Sequence, residues 1–503
     1  MAKAASCFLR SGMKSRKGEA GGRNSRQPIK GVLAAVLSAA LLLPTAAMAA
    51  EASDGLDNSG IRLYEVFDVL GRYHVSGTDS RVLSDSGIRA MIEQLNDPYT
   101  TYMTPEEWKT FQYSLEQAYV GVGIQLEDTD SGIVIVRTFP GTPAEQAGLL
   151  PGDQVLAVNG QSAASSKASE LSALFPKREN AGVTVTVERD GARLDVPLIV
   201  RKVQIPAVTG RMLGQTGYLK IDTFTSDADE AFAAELKTLK ERGVQSLIVD
   251  LRNNPGGILE TAQNIAKLFV KDGILIHTRN RDGSDDPVLI SGGQEQAIPV
   301  VVLVNENSAS SSEVLAGALQ DYGKATVVGM RTYGKGSVQS TFELSGGGAI
   351  KVTMEEYYTP LNRQVNRIGL APDIEVDGGA AQLAAALRLA GEPVLRLDQQ
   401  GMALTMNGEP VEDIVPVIRE DGRVYVHTRV LAALIGGTVS WQQQEQAAEV
   451  TAAGRTERFR AGETLINIAG TSLVELSAFA DRFPALRWTD DGGKLTLEAS
   501  LPR

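Results

Sequence analysis

Three short stretches of this chain combine residue types that can carry out acyl chemistry. They are Asp250-Leu251-Arg252-Asn253-Asn254-Pro255-Gly256-Gly257, Asn305-Glu306-Asn307-Ser308-Ala309-Ser310-Ser311-Ser312-Glu313 and Tyr333-Gly334-Lys335-Gly336-Ser337-Val338-Gln339. In the first, paired glycines let backbone N–H groups face a ligand, and a following helix N-terminus favours negative charge. Such a turn cradles a phosphate or holds an oxyanion, and a plain glycine turn has the same sequence; the Lys-Ser/Thr of a P-loop is missing. In the second, a serine between a buried strand and a helix occupies a nucleophile-elbow position. Ser310 with Glu313 also reads as S-x-x-E, an ordinary capping box. In the third, Lys335 lies between glycines that permit close packing, and burial disfavours its ammonium form. A neutral amine can serve as the base that a serine hydroxyl needs, and Gln339 can orient it. A lone G-K-G equally suits a solvated loop. Taken together, Ser310, Lys335, Gln339 and amides near Gly256 supply a nucleophile, a base, an orienting group and oxyanion donors.

The elements around these loops follow from periodicity. Apolar runs at 245–251, 298–304 and 325–329 read as buried strands, with helices at 258–270 and 311–322 between them. Strands alternating with helices favour a layered α/β core, and open sheets of that kind place ligands at the C-terminal ends of their strands. Residues 338–344 and 349–358 read as a hairpin around Ser345-Gly346-Gly347-Gly348. Upstream, 54–118 reads as helices: Ile61, Tyr64, Val66, Phe67 and Leu70 form one apolar stripe, and Ile88, Met91, Ile92 and Leu95 another. Thr104-Pro105-Glu106-Glu107 starts a third helix with a T-x-x-E box. Residues 119–203 hold short β-rich runs and form a small β-domain. Residues 396–503 contain a weak repeat, with V-x4-L-A and then Trp441 in one copy and V-x4-F-A and then Trp488 in the other, which a duplicated β/α unit explains.

Composition narrows the function further. With 43% hydrophobic and 22% charged residues the chain is of the folded, soluble type, and 503 residues suggest about three domains. Its net charge of −12 argues against sequence-independent nucleic-acid binding. Cys7 is the only thiol, and the three histidines (His74, His277, His427) are scattered. Disulfides, Cys catalysis and a His-based metal cage are therefore not expected. The N-terminus reads as an address: Lys14, Arg16, Lys17, Arg23, Arg26 and Lys30 precede an apolar run at 31–43 and an Ala47-Met48-Ala49 cleavage signal. This is the three-part secretory pattern, which places the rest of the chain outside the cytoplasm; an uncleaved anchor is the alternative.

These residues carry a resemblance. The stretches DLRNNPGG (250–257), NENSASSSE (305–313), VLAGALQD (314–321) and TYGKGSVQ (332–339) resemble the carboxyl-terminal processing peptidases, or tail-specific proteases. AMIEQLNDPYTTY (90–102) resembles that family's N-terminal helical segment, and Gly121 to Gly123 with Pro140 to Leu149 resemble its PDZ domain. With the secretory pattern giving a signal peptide at 1–49, the resemblance implies an α+β multidomain chain: N-terminal helices at 54–118, a PDZ domain at 119–203 and a layered, crotonase-like serine peptidase core at 204–390. It implies Ser310 as nucleophile, Lys335 as general base and Gln339 as the group holding the lysine, with the Gly256 and Ser311 amides as oxyanion hole. The family usually has Ala at 311, where this chain has Ser. A PDZ domain adds a peptide as a strand and holds its terminal carboxylate in a nest of amides, here at Gly121, Val122 and Gly123. Arg178 is the match to a family basic residue that couples peptide binding to an aligned protease site, though its surroundings depart from the family pattern.

The tail at 396–503 resembles the copper amine oxidase N-terminal-like domain through GRVYVHTRVLAAL (422–434). The name does not imply copper: His427 is the module's one histidine and it has no thiol, a poor ligand set. The expected function is an extracytoplasmic serine endopeptidase without cofactor or metal. It would act through an acyl-enzyme on protein substrates with accessible C-termini. Cell-wall or membrane-surface association and pairing of subunits through 54–118 are compatible with it. A non-catalytic envelope adaptor is the rival reading, and a copper enzyme a third.

Overall fold

The apolar strands Ser246–Asp250 and Val300–Val304 are buried at every position, so each must feed a core on both faces. The computed structural model describes residues 58–501, apart from 116, 117, 130, 131, 165, 412 and 469, and shows those two cores. The expected signal segment at 1–49 lies outside the described residues. The central sheet has six strands in the order Val208–Leu213, Thr216–Ile221, Ser246–Asp250, Val300–Val304, Thr326–Gly329 and Ile374–Glu375. The first pair is antiparallel and the rest are parallel. Because side chains alternate across a strand, Leu247, Val249, Val302 and Val304 pack with the helices Ala228–Glu241, Leu259–Ala266 and Ser311–Asp321. Ile248, Val301 and Leu303 face the other way, onto the helix Gly379–Leu389 and the C-terminal module.

A second, five-stranded sheet holds the hairpin Ser337–Glu343 and Ala349–Tyr358, with Gly273–Asn280, Val288–Ile290 and Thr101–Met103. The last of these corrects the all-helical reading of 54–118: Tyr102 pairs with Ile350, stitching the N-terminal region to the hairpin. The helix expected over 258–270 is shorter, because Leu268 and Phe269 bond back three residues and tighten the chain into turns. The stripe at Ile61, Tyr64, Val66, Phe67 and Leu70 is helical as expected, yet no residue of Asn58–Tyr73 is buried within this chain.

The β-domain is a sheet of Ile124–Thr129, Gly132–Thr138, Gln154–Val158, Gly182–Arg189 and Ala192–Ile199, and the short strand Gln161–Ser162 pairs with Gln154–Val158. Strands Ala118–Gly121 and Arg201–Gln204 pair at its root. The C-terminal repeat is a real duplication. Strand Arg423–His427, helix Thr428–Leu434 and strands Thr438–Gln442 and Ala447–Ala452 recur as Thr471–Glu475, Leu476–Arg482, Leu486–Asp491 and Lys494–Ser500.

Candidate active site

Ser310 stands between the strand Val300–Val304 and the helix Ser311–Asp321, at φ 60° and ψ −118°. A side chain at positive φ is strained by about 1–3 kcal/mol, the kind of cost that accumulates at functional sites. The four serines of this loop divide sharply. The Ser308 hydroxyl donates to Leu251 O (2.8 Å), Ser311 to Gly257 O (2.9 Å) and Ser312 to Asn254 O (3.0 Å). All three therefore staple the loop to the glycine turn. Ser310 Oγ alone is buried with no hydrogen-bond partner. The capping box forms only by half: the Ser310 N–H donates to Glu313 Oε2 (2.8 Å), while the hydroxyl is left for other work.

Glu313 is the pivot that sequence reasoning missed, since it read there as nothing more than a cap. Its fully buried carboxylate also accepts from the Thr332 hydroxyl (2.5 Å) and from the Gly334 and Lys335 amides (2.8 and 2.9 Å). One oxygen, Oε2, thus holds the backbone nitrogens of both Ser310 and Lys335. Burial pushes this carboxyl up from its ordinary range, against the pull of those donors. The Tyr333 N–H donates to Ser308 O (3.0 Å), and the Tyr357 hydroxyl donates to Ser310 O (3.2 Å), so the serine and lysine loops are joined at several points. Lys335 is 4% exposed, with Nζ 5.1 Å from the centroid of the Tyr99 ring.

The glycine turn is built for close approach. Gly256 has φ 101°, and a Cβ there would lie 2.7 Å from Ser310 Cβ and 2.9 Å from the Ser311 nitrogen. The two expected oxyanion donors are therefore neighbours. Their states differ from the expectation, because the Gly256 N–H is taken by Asn254 Oδ1 (2.8 Å). Asn254 is fully buried and anchored by its own donation to Ile221 O (2.8 Å). The Ser311 amide belongs to the first turn of its helix, where N–H groups have no intrahelical acceptor.

Gln339 departs further from its expected role. Its Nε2 donates to Ser337 Oγ (2.8 Å) and Thr353 Oγ1 (3.3 Å), while its buried Oε1 has no partner. In this conformation Gln339 does not accept from the lysine amine, and no hydrogen bond links Ser310 Oγ to Lys335. Arg178 sits on an exposed turn of the β-domain and takes part in none of the described ion pairs. At the expected carboxylate loop, Val122 is buried and Gly123 has φ 88° with no room for a Cβ against Thr142. The Tyr119 ring folds over Gly121, where a Cβ would come within 2.3 Å of it. Burial pushes its hydroxyl up, while the nearby Gly123 and Ile124 amides pull it the other way.

Comparison with known proteins follows the same lines. The model of peptidase family S41 matches residues 215–376, a PDZ domain model 120–200 and a copper amine oxidase N-terminal domain model 405–481. The chain is 33% identical over 326 residues to a probable CtpA-like serine protease of Staphylococcus aureus strain COL, covering 64% of this chain and 66% of that relative. It thus spans slightly less than two thirds of the relative's length. It is 31% identical over 334 residues to the carboxy-terminal processing protease CtpB of Bacillus subtilis strain 168, covering 65% and 70% of the two chains. Among solved structures, the photosystem II D1 C-terminal processing protease is similar at 29% identity and a TM-score of 0.41, over 64% of this chain and 94% of that one.

Proposed function

Because the chain belongs to the carboxy-terminal processing protease family, we propose that it is an extracytoplasmic serine endopeptidase that takes protein substrates by their C-terminal tails and cleaves them at Ser310. The observation that carries this reading is the division among the four serines: three hydroxyls are spent on structure and the fourth, strained and buried, is unspent. The Ser310 hydroxyl gives its proton to the Lys335 amine as Oγ bonds to the substrate carbonyl carbon. The carbonyl oxygen becomes an oxyanion facing the Ser311 amide, joined by the Gly256 amide once Asn254 Oδ1 releases it. The peptide C–N bond then breaks, and the leaving nitrogen takes the proton back from the Lys335 ammonium. Water repeats the sequence on the acyl-enzyme, with Lys335 as base and then acid.

Gln339 enters this scheme through its Oε1, which is buried without a partner and therefore gains by accepting from the amine. The PDZ domain supplies the tail by strand addition, with the terminal carboxylate at the Gly121–Gly123 loop. The basic and apolar pattern before residue 50 supports export, and no described helix is long and apolar enough to cross a membrane. The test is digestion of unfolded casein by the purified chain. Ser310→Ala and Lys335→Ala should each abolish cleavage with the fold intact by circular dichroism; full activity in either overturns the assignment.

A further inference from the structure

Tyr99 belongs to the N-terminal segment, more than two hundred residues from the serine and lysine loops, yet its ring lies against Lys335. Its placement is pinned from two sides. Asp97 accepts from the Tyr99 N–H (3.0 Å) and from the Thr100 hydroxyl (2.6 Å). Thr100 Oγ1 in turn accepts from the Thr353 N–H (3.1 Å), on the strand that also carries the acceptor for Gln339. The Tyr99 hydroxyl is pushed up to about 12, mainly by burial and then by the nearby Tyr333, so the ring stays neutral over any working pH. A neutral aromatic face presents negative charge density to a cation within about 6 Å.

We propose that Tyr99 is a positioning residue for Lys335: its ring face favours the ammonium form and so sets the pH at which the amine becomes available as a base. The inference rests on Lys335 acting as that base. The other groups facing this site are the Glu313 carboxylate from the helix Ser311–Asp321, Tyr333 on the lysine loop, Tyr357 from the strand Ala349–Tyr358 and Asp97 in the turn of Tyr99 itself. Glu313 also favours the ammonium form, so the two act in the same direction. Only the ring contact depends on aromatic electron density, and that makes it separable. A contact of this type is equivalent to roughly 0.4–1.5 pH units of displacement.

The sign is fixed by the chemistry. Withdrawing electron density from the ring weakens its hold on the ammonium, the proton leaves at lower pH, and the acid limb of kcat/KM moves down. The full chain is prepared with Tyr99→Phe and with 4-fluoro-, 3,5-difluoro- and 3,4,5-trifluorophenylalanine at position 99, a series nearly constant in shape. The pH dependence of kcat/KM on unfolded casein is measured for each. In parallel, the Ser310→Ala chain with the same series is treated with acetic anhydride across pH, and acetylation of Lys335 is read by mass spectrometry, which requires no activity. The expected result is a stepwise fall of both midpoints with each added fluorine, up to roughly one pH unit in total. Labelling midpoints that stay fixed across the series overturn the role of the ring. Labelling midpoints that fall while the activity limb stays fixed overturn Lys335 as the base, and the positioning role with it.

Discussion

The division among the loop serines predicts that stability and activity respond in opposite ways to three neighbouring alanine substitutions. Ser308 Oγ is fully buried, donates to Leu251 O (2.8 Å) and accepts from the Asn305 N–H (2.9 Å). Ser308→Ala orphans the Asn305 N–H, whereas Leu251 O keeps the Asn254 N–H as a second donor (3.2 Å), so at about 1–3 kcal/mol per orphaned group it should cost about 2 kcal/mol. Ser312→Ala should cost nearer 1 kcal/mol, because Asn254 O keeps the Ala309 N–H as a second donor (3.0 Å). Ser310→Ala removes a buried hydroxyl that bonds nothing, so the desolvation cost of about 1–3 kcal/mol disappears with it. The backbone strain at φ 60° remains, since alanine meets the same Cβ clash. Ser310→Ala should therefore unfold at an equal or higher urea concentration than the parent while kcat/KM falls by about a thousandfold or more. Ser308→Ala and Ser312→Ala should unfold earlier and keep most of their activity at 25 °C. Urea midpoints by circular dichroism and initial rates on unfolded casein test both halves. If Ser310→Ala destabilised the chain as much as Ser308→Ala, or if Ser312→Ala killed cleavage without a stability loss, the reasoning from unspent hydrogen bonds would be wrong.

Three further outcomes follow from named contacts. Glu313→Gln keeps the shape but turns one acceptor oxygen into a donor that faces an amide; kcat/KM should fall by about a hundredfold through misplacement of the serine and lysine loops, and activity within threefold of the parent would refute the pivot role. Burial alone would raise the Asp250 carboxyl, but the Arg252 guanidinium (2.5 Å) holds it below its usual range. Stability from this pair is therefore present above the ordinary carboxyl pKa and lost as pH falls through the lowered one. Arg252→Ala should cost about 3–5 kcal/mol at pH 7 by stranding a buried charge, and urea midpoints measured at pH 7 and pH 4 check both the loss and its shrinkage in acid. Tyr119→Phe removes the phenol oxygen that draws on the Gly123 and Ile124 amides, so a fluorescein-labelled peptide with a free terminal carboxylate should bind roughly 5- to 30-fold tighter by anisotropy; equal affinities for the variant and the parent would exclude competition by the phenol.

Much of this arrangement was legible in the sequence, for identifiable reasons. The strands at 245–251, 298–304 and 325–329 are continuous apolar runs, and a parallel sheet buried on both faces needs such runs. The hairpin at 338–358 was marked by Ser345-Gly346-Gly347-Gly348, whose flexibility permits the reversal. Gly273–Asn280 was not picked out, since Arg279 and Asn280 dilute its apolar character and its partners lie far away in sequence. Glu313 was visible only as a cap because its other partners, Thr332, Gly334 and Lys335, are supplied by tertiary packing. Tyr99 lies within the stretch AMIEQLNDPYTTY (90–102), yet nothing local places a ring from residue 99 over an amine at 335. The orientation of Gln339 and the occupation of the Gly256 amide by Asn254 are choices among side-chain conformers that no spacing rule can reach.

The same distinction applies to the C-terminal module. As a sequence it is an appended repeat with its own family likeness, and appended modules are ordinarily joined by mobile linkers. Physically it is continuous with the peptidase core. Ile248, Val301, Leu303 and Val328 on one face of the central sheet share a single buried cluster with Leu383 and Leu387 of the helix Gly379–Leu389 and with Leu395, Leu431 and Leu497 of the module. Arg388 on that helix closes the junction by donating to the carbonyls of Glu392 and Pro393 (2.8 and 2.9 Å), of Ala499 (2.9 Å) and of Leu434. Burial lowers this guanidinium to about 10, a cost that no surface linker arginine meets. The other end of the helix reaches the active site: Arg252 Nη1 donates to Gly379 O (2.8 Å), while its Nε and Nη2 hold Asp250, which also accepts from Tyr218 (2.6 Å). Arg252 lies four residues before Gly256, in the turn proposed to carry an oxyanion donor. Removing the module would strip the helix of its apolar cover and loosen the carbonyl that anchors Arg252. The module is thus mechanically continuous with the glycine turn proposed to face the oxyanion.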